Sequence, residues 1–147
     1  MRASMPVLAT TLIHDHHRLM DEGRFADVMG NYEFPLAVEI DGALQVYPNE
    51  AAFLQAMLAF RAALLAAGIT AIVPRIAAVE LPRHGRFRIW VDWDHWRGDA
   101  LEKSARHSIY YCRQAAGRDR REIVEMMQCT AYLVDCSVPD MPVAQTA

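Results

Sequence analysis

The chain has 147 residues, of which 53% are hydrophobic and 22% charged, and its formal charge is −3. This length fits a single domain, and the hydrophobic content excludes intrinsic disorder. The slightly acidic balance gives no general surface for binding nucleic acid, and no apolar run reaches the ~18 residues of a membrane span. The apolar surplus must therefore enter a core, a lined pocket or a subunit interface.

The cysteines and the N-terminus predict a cytoplasmic protein. Cys112, Cys129 and Cys136 form no CxxC or other metal spacing, and an odd, sparse set is typical of reduced thiols. The first apolar stretch is interrupted by Thr10 and Thr11, which does not fit the core of a signal peptide. We expect no metal, no cofactor and no nucleic-acid or membrane partner.

Helical periodicity is concentrated in the first half of the chain. Apolar residues at about 100° intervals predict a helix over 7–22, and a short second helix is expected over 24–31. A third helix is predicted over 50–67, with Asn49 as its N-cap and Gly68 as its stop.

Strand signals surround and follow the third helix. Asp41-Gly42 is a strong hairpin signal between two short β-rich runs. After the helix, four long strands are predicted over 69–81, 86–96, 104–114 and 122–134. Pro74 places the first of these at a sheet edge or a bulge.

This order of elements predicts an α+β domain. Three helices would pack on a strongly curved antiparallel sheet and leave a cone with a cavity at its mouth. Residues 1–6 form a lead, 7–134 the domain and 135–147 a loose tail.

The element order resembles the nuclear transport factor 2-like superfamily, which includes SnoaL-like cyclases and ketosteroid isomerase. Local patterns add to the resemblance: Leu19-Met20-Asp21-Glu22-Gly23, Tyr32-Glu33-Phe34-Pro35, Phe87-Arg88-Ile89 and Glu122-Ile123. The resemblance implies a cone fold that serves enzymes, binding proteins and assembly modules alike, so function must be argued from the site.

Ketosteroid isomerase provides the sharpest comparison, because its site needs an aspartate base and an oxyanion hole of tyrosine and protonated aspartate. The position resembling the oxyanion tyrosine is His16, and Phe34 stands before the proline near which the base is expected. The second oxyanion acid falls at His107, Ser108 or Ile109. Steroid isomerisation by that mechanism is therefore not expected.

Two polar residues lie on the otherwise apolar faces of the predicted helices. His16 is either a satisfied core histidine or a pocket acid/base, since a buried polar group needs a partner. Arg61 is either part of a structural ion pair, an edge residue, or an anchor for an anionic ligand. His14 and His17 share a helix face that we interpret as solvated rather than metal-binding.

Strand parity supplies the remaining candidates. If Trp93 faces the cavity, the resemblance puts His107, Ile109 and Tyr111 inward on the next strand, and Met126, Gln128 and Thr130 inward on the last. Polar groups converging in an apolar concavity indicate a small-molecule site. The expected ligand contacts are Tyr32, Phe34, Arg61, Trp93, Tyr111, Gln128 and Thr130, with His16 and His107 as expected catalytic residues.

The opposite parity of the 86–96 strand carries Arg88, Trp90 and Trp96. Tryptophan on an outward sheet face predicts burial in a homodimer packed sheet to sheet. Asp92 and Asp94 lie on the same face, where we expect salt bridges to arginines.

Two functions follow from this sequence. The first is a small-molecule-binding cone with a largely apolar pocket; if it is an enzyme, a lyase, isomerase or cyclase with a histidine acid/base fits the residues. The alternative is a non-catalytic dimeric binding or association module with a filled cone. No nucleotide-binding motif is present in the sequence.

Overall fold

A computed structural model describes residues 5–40, 42–102, 106–116 and 122–133, with side chains over 8–40, 42–102 and 107–114. The predicted tail over 135–147 lies outside these residues. Within the described part, no helix is both long and apolar enough to cross a membrane.

The helices lie close to the predicted positions. Helix α1 spans Met5–Asp21, α2 spans Phe25–Val28 and continues as a 3-10 turn over Met29–Asn31, and α3 spans Glu50–Ala66. Asn49 caps α3 as expected, because its side-chain oxygen accepts a hydrogen bond of 2.9 Å from the backbone N–H of Ala52.

The strands form one curved sheet. Their bounds are β1 Tyr32–Ile40, β2 Ala43–Tyr47, β3 Ala71–Val79, β4 Arg86–Arg97, β5 Ala100–Leu101, β6 Arg106–Ala116 and β7 Glu122–Leu133. The strand order is β2-β1-β7-β6-β4-β3, with the short β5 beside β4. The β1–β7 pair is parallel, and the other pairs are antiparallel. The expected α+β cone is confirmed, and this parallel pair joins the first hairpin to the long strands.

Turn chemistry explains where the strands begin and end. Gly42 follows β1 with a φ of 83°, and His84 and Gly85 connect β3 to β4 with φ values of 53° and 74°. Such positive φ values suit hairpin turns and favour glycine. Pro74 lies on β3, which is the edge strand of the sheet. Proline has no backbone N–H, and an edge strand tolerates this because it does not need hydrogen bonds on both sides.

The core lies between the helices and the concave face of the sheet. On β4 the inward residues Phe87, Ile89 and Val91 are buried, as the alternation predicts. On α3 the buried residues include Phe53 and Met57, which pack into the same cluster. Helices and sheet therefore share one apolar core.

The parity expected for β6 is wrong. The register pairs Ile89 with Tyr110 and Val91 with Ser108, so the inward residues of β6 are even-numbered. Tyr111 pairs with Arg88 and contacts it on the outward face. A one-residue change of register moves every side chain of a strand to the other face of the sheet. The resemblance did not specify the register of β6, and the predicted faces of its residues are therefore reversed.

Ion pairs cover the convex face of the sheet. Asp94 accepts two hydrogen bonds from Arg75, at 2.8 and 3.0 Å. The predicted salt bridge between this aspartate and an arginine is therefore confirmed. Asp92 instead contacts His107, with 2.5 Å between Oδ1 and Nδ1. Association of two copies through this face stays a prediction.

The tryptophans of that face are only partly exposed. The guanidinium of Arg88 lies 4.8 Å from the ring centroid of Trp90, and its nitrogens bond both carboxylate oxygens of Glu80. Trp96 pairs with Ala71 at the edge of the sheet and is half-buried. Part of the outward aromatic surface is thus covered within the chain.

Candidate functional site

A cavity of about 220 Å³ lies between α1, α3 and the concave face of the sheet. Its walls are mainly apolar and aromatic, with Phe53 and Met57 from α3 and Tyr110 from β6. A few polar groups also reach it, which is the composition typical of a small-molecule site.

A histidine and a tyrosine form the buried polar pair of this cavity. His16 projects from the inner face of α1 and is 5% exposed, and Tyr32 begins β1 and is 8% exposed. The His16 Nε2 and the Tyr32 hydroxyl oxygen lie 2.7 Å apart, at hydrogen-bonding distance. The Tyr32 ring packs edge-on against Phe53, with 4.9 Å between centroids, so the hydroxyl is held in place.

Burial determines the charge of the histidine. Burial, and to a smaller extent the neighbouring charge of His17, lowers the pKa of His16 to about 4. The imidazole is therefore neutral at neutral pH, and one of its nitrogens accepts while the other donates. At that pH His16 can act as a hydrogen-bond partner or a weak base, and not as an acid.

A second neutral pair lies in the sheet wall. The indole N–H of Trp93 on β4 donates to the hydroxyl oxygen of Ser108 on β6, at 2.9 Å. This bond satisfies the polar atom of a large aromatic side chain and leaves the rest of its ring as apolar wall. Trp93 lines the cavity, as the alternation of β4 led us to expect.

Arg61 also lines the cavity, and its hydrogen bond goes to a backbone oxygen. Its Nη1 donates to the carbonyl oxygen of Met20, in the last turn of α1, at 2.7 Å. The guanidinium carbon lies 5.5 Å from the ring centroid of Phe25. The carbonyl and the ring fix the position of the cation between the two helices.

Several expected contacts are not brought into this site. Phe34 packs against Phe53 at 6.2 Å between centroids, within the core rather than in the cavity wall. His107 borders the cavity, but its imidazole contacts Asp92 of the convex face. Tyr111 faces outward. The register pairs Gln128 with Tyr111 and Thr130 with Ile109, and the side chains of Gln128 and Thr130 lie outside the described residues.

Among the aromatic rings of the sheet that line the cavity, sequence reasoning missed two. His95 is 3% exposed and lines the cavity, and it continues the alternation that put Trp93 inward. Tyr110 lines it from β6 and lies 6.5 Å from His16 between ring centroids. Extending the β4 alternation by one step would have found His95, whereas Tyr110 required the register of β6.

Metal binding finds no support in the described part of the chain, where no group of three or more His, Cys, Asp or Glu side chains is suitably placed. His14 is exposed, and His17 is half-buried beside the cavity.

Neither a protein-family model nor a curated protein sequence matches this chain. Solved structures do match. A ketosteroid isomerase-like protein from Erwinia carotovora atroseptica has 7% identity and a TM-score of 0.62, over 88% of this chain and 95% of that one. A protein of unknown function with a cystatin-like fold from Nostoc punctiforme has 10% identity and a TM-score of 0.64, over 95% and 98%.

A third similar structure is the beta subunit of the benzoate 1,2-dioxygenase from Burkholderia mallei. It has 14% identity and a TM-score of 0.61, over 95% of this chain and 100% of that subunit. Identities this low establish the fold and leave the activity open. The chain therefore has the nuclear transport factor 2-like, cystatin-like fold that the sequence resembled.

Proposed function

We propose that the protein binds a small, largely apolar molecule that carries a neutral polar group. The observation that carries this proposal is the neutral His16–Tyr32 pair, which is buried in the wall of an otherwise apolar cavity. A buried pair of this kind at a cavity wall provides one directed polar contact in an apolar surrounding.

The volume limits the size of the ligand. An apolar cavity of about 150 Å³ can hold benzene. The cavity of about 220 Å³ is larger, so it suits two fused rings or a chain of medium length. Its aromatic walls favour flat or flexible apolar bodies.

The polar pair suits a hydroxyl or a carbonyl group. If Tyr32 donates to Nε2 of His16, the tyrosine oxygen can still accept a hydrogen bond from a ligand. If Nε2 donates instead, the tyrosine hydroxyl hydrogen can donate to one. Because burial keeps His16 neutral, neither arrangement places a charge deep in the cavity.

A calorimetric comparison of naphthalene with naphthol tests the proposal. The wild type should bind naphthol more tightly, because only naphthol can bond to the pair. The double variant Tyr32→Phe with His16→Phe removes both polar groups and should abolish this preference, whereas Tyr47→Phe removes a buried hydroxyl that does not line the cavity and should retain it. Failure of both compounds to bind the folded wild type contradicts the proposal.

Tryptophan emission locates the bound compound. Trp93 lines the cavity and Trp90 does not, so binding should change the emission of Trp93. Trp93→Phe should remove that change, and Trp90→Phe should leave it intact. The reverse result would place the compound on the convex face.

A lyase, isomerase or cyclase reaction with His16 as base is the second candidate. The observation that favours it is the 2.7 Å contact to Tyr32, through which a proton could pass between two groups at the cavity wall. Tetralone in heavy water provides a test, because a base would exchange the protons beside its carbonyl. Exchange that disappears in His16→Gln supports catalysis, and no exchange with bound tetralone leaves binding alone.

A further inference from the structure

The charge of Arg61 is not explained by the neutral ligand chemistry described above. Arg61 is half-buried on α3 and lines the cavity together with the apolar side chains of Phe60 and Leu64. One of its nitrogens bonds the Met20 carbonyl, and the flat face of the guanidinium lies beside Phe25. A guanidinium has five N–H donors, so most of them are left for another partner.

Most of the other arginines whose side chains are described are paired with acids, and the two that are not, Arg83 and Arg86, are exposed. Six lie within ion-pair distance of a carboxylate: Arg18, Arg24, Arg75, Arg88, Arg97 and Arg113. Over the residues whose side chains are described, no carboxylate lies that close to Arg61. A half-buried cation in an apolar wall without an acid is unusual, since such a charge is normally paired or reaches water.

We propose that the ligand also carries a single carboxylate, which pairs with Arg61 while the apolar body fills the cavity and the neutral polar group meets the His16–Tyr32 pair. This inference rests on the proposed function and names the chemical class of the molecule. The planar guanidinium matches a carboxylate through two parallel hydrogen bonds. The Met20 carbonyl and the Phe25 ring already hold the guanidinium in position, so little conformational freedom is lost on binding.

The other charged groups at the cavity are compatible with a ligand that carries one negative charge. Asp21 also lines it, but Asp21 is exposed, so its repulsion of an anion is weakened by solvent and salt. A dianion such as a phosphate monoester would exceed the single permanent positive charge that Arg61 supplies at the wall.

Calorimetry with octanoate and octanol tests the inference, because the two compounds share a chain length and differ in charge. The wild type should bind octanoate at least about tenfold more tightly, as expected for a charged hydrogen-bonded pair. Arg61→Met should remove this preference and leave the affinity for octanol unchanged. Arg83→Met is the matched control, since Arg83 is exposed and does not line the cavity.

The outcomes separate this inference from the proposed function. If naphthol or octanol binds but the wild type shows no preference for octanoate, the cavity function stands and the anionic ligand is excluded. A preference that survives in Arg61→Met also overturns the inference. If no compound binds, both proposals fail. If Arg61→Met does not fold, Arg61→Gln gives the same comparison, and Arg61→Lys should retain part of the preference.

Discussion

Strand β4 has two faces with different polar chemistry. On the concave face, Trp93 bonds Ser108, and both groups are neutral. On the convex face, Arg88 pairs with Glu80, and Asp94 pairs with Arg75. Successive residues of β4 point to opposite faces. Neighbours in the sequence such as Trp93 and Asp94 therefore differ in their surroundings: the first makes a hydrogen bond at the cavity, and the second an ion pair in solvent.

The difference follows from the cost of removing charge from water. A charge on the convex face keeps most of its hydration, and its ion pairs there contribute little to stability. A charge facing the cavity, whether from the concave face or from the helices opposite it, would be destabilised unless paired, so neutral groups are favoured there. His16 follows this rule because burial keeps it neutral. Arg61 is the exception, and for that reason it carries the inference about the ligand.

The largest effect is expected when an apolar side chain of the concave face is shortened. Ile89 is fully buried, so Ile89→Ala should lower the free energy of unfolding by about 2–5 kcal/mol through lost burial and a residual cavity. Val73 on β3 is 39% exposed, and Val73→Ala should lower it by less than about 1 kcal/mol. Guanidinium denaturation measures both. Equal losses would contradict the distinction between the two faces.

The next largest effect is a pH dependence from His16. Its pKa is lowered from 6.5 in the unfolded chain to about 4 in the folded protein, so the unfolded chain binds the proton more readily. The stabilising contribution is complete above pH 6.5 and is lost as the pH falls toward 4, by about 3 kcal/mol. Urea denaturation between pH 7 and pH 4 should therefore show a steeper loss in the wild type than in His16→Gln. Parallel pH profiles would show that His16 is not buried as described.

A smaller effect is expected when the buried polar pair is broken. Tyr32→Phe leaves Nε2 of His16 without its partner and should lower the free energy of unfolding by about 1–3 kcal/mol. The double variant Tyr32→Phe with His16→Phe removes both polar groups and should recover part of that loss. Additive losses in a double-mutant cycle would show that the two side chains do not interact.

The smallest effect is expected on the convex face. Arg75 is exposed and pairs with Asp94, so Arg75→Gln should leave the denaturation midpoint unchanged within error at physiological salt. A clear decrease would show that this face is buried in the assembled protein, since an ion pair removed from water depends more strongly on its partner. Analytical ultracentrifugation of the same variant would then show whether a dimer is lost.

Local patterns in the sequence determined the elements. The cap at Asn49, the stop at Gly68 and the hairpin at Gly42 are local, because each depends on the backbone of a few neighbouring residues. The alternation of β4 likewise identified Trp93 as an inward residue. His16 was singled out because a polar residue on an apolar helix face requires a partner or a cavity.

Only the tertiary structure decided which groups His16 and Arg61 contact by hydrogen bonds. Nothing near His16 in the chain indicates Tyr32, 16 residues away, as its hydrogen-bond partner. Arg61 was expected in an ion pair, at an edge or as an anchor for an anionic ligand, and no local pattern indicated that it donates a hydrogen bond to the Met20 carbonyl oxygen at the end of α1. Both contacts depend on how α1 packs against its neighbours, which no local pattern specifies.

The sequence by itself thus determined the order of the elements, the cone fold and one face of β4, because helix and strand periods are set by short-range geometry. The tertiary structure decided which residues of β6 face the cavity, because strand register depends on pairing between distant segments. It therefore turned Tyr111 outward and brought Ser108 and Tyr110 inward. It also decided that the charge of Arg61 lies at a cavity wall without an acid beside it in the described part of the chain, and from this feature we infer the class of the ligand.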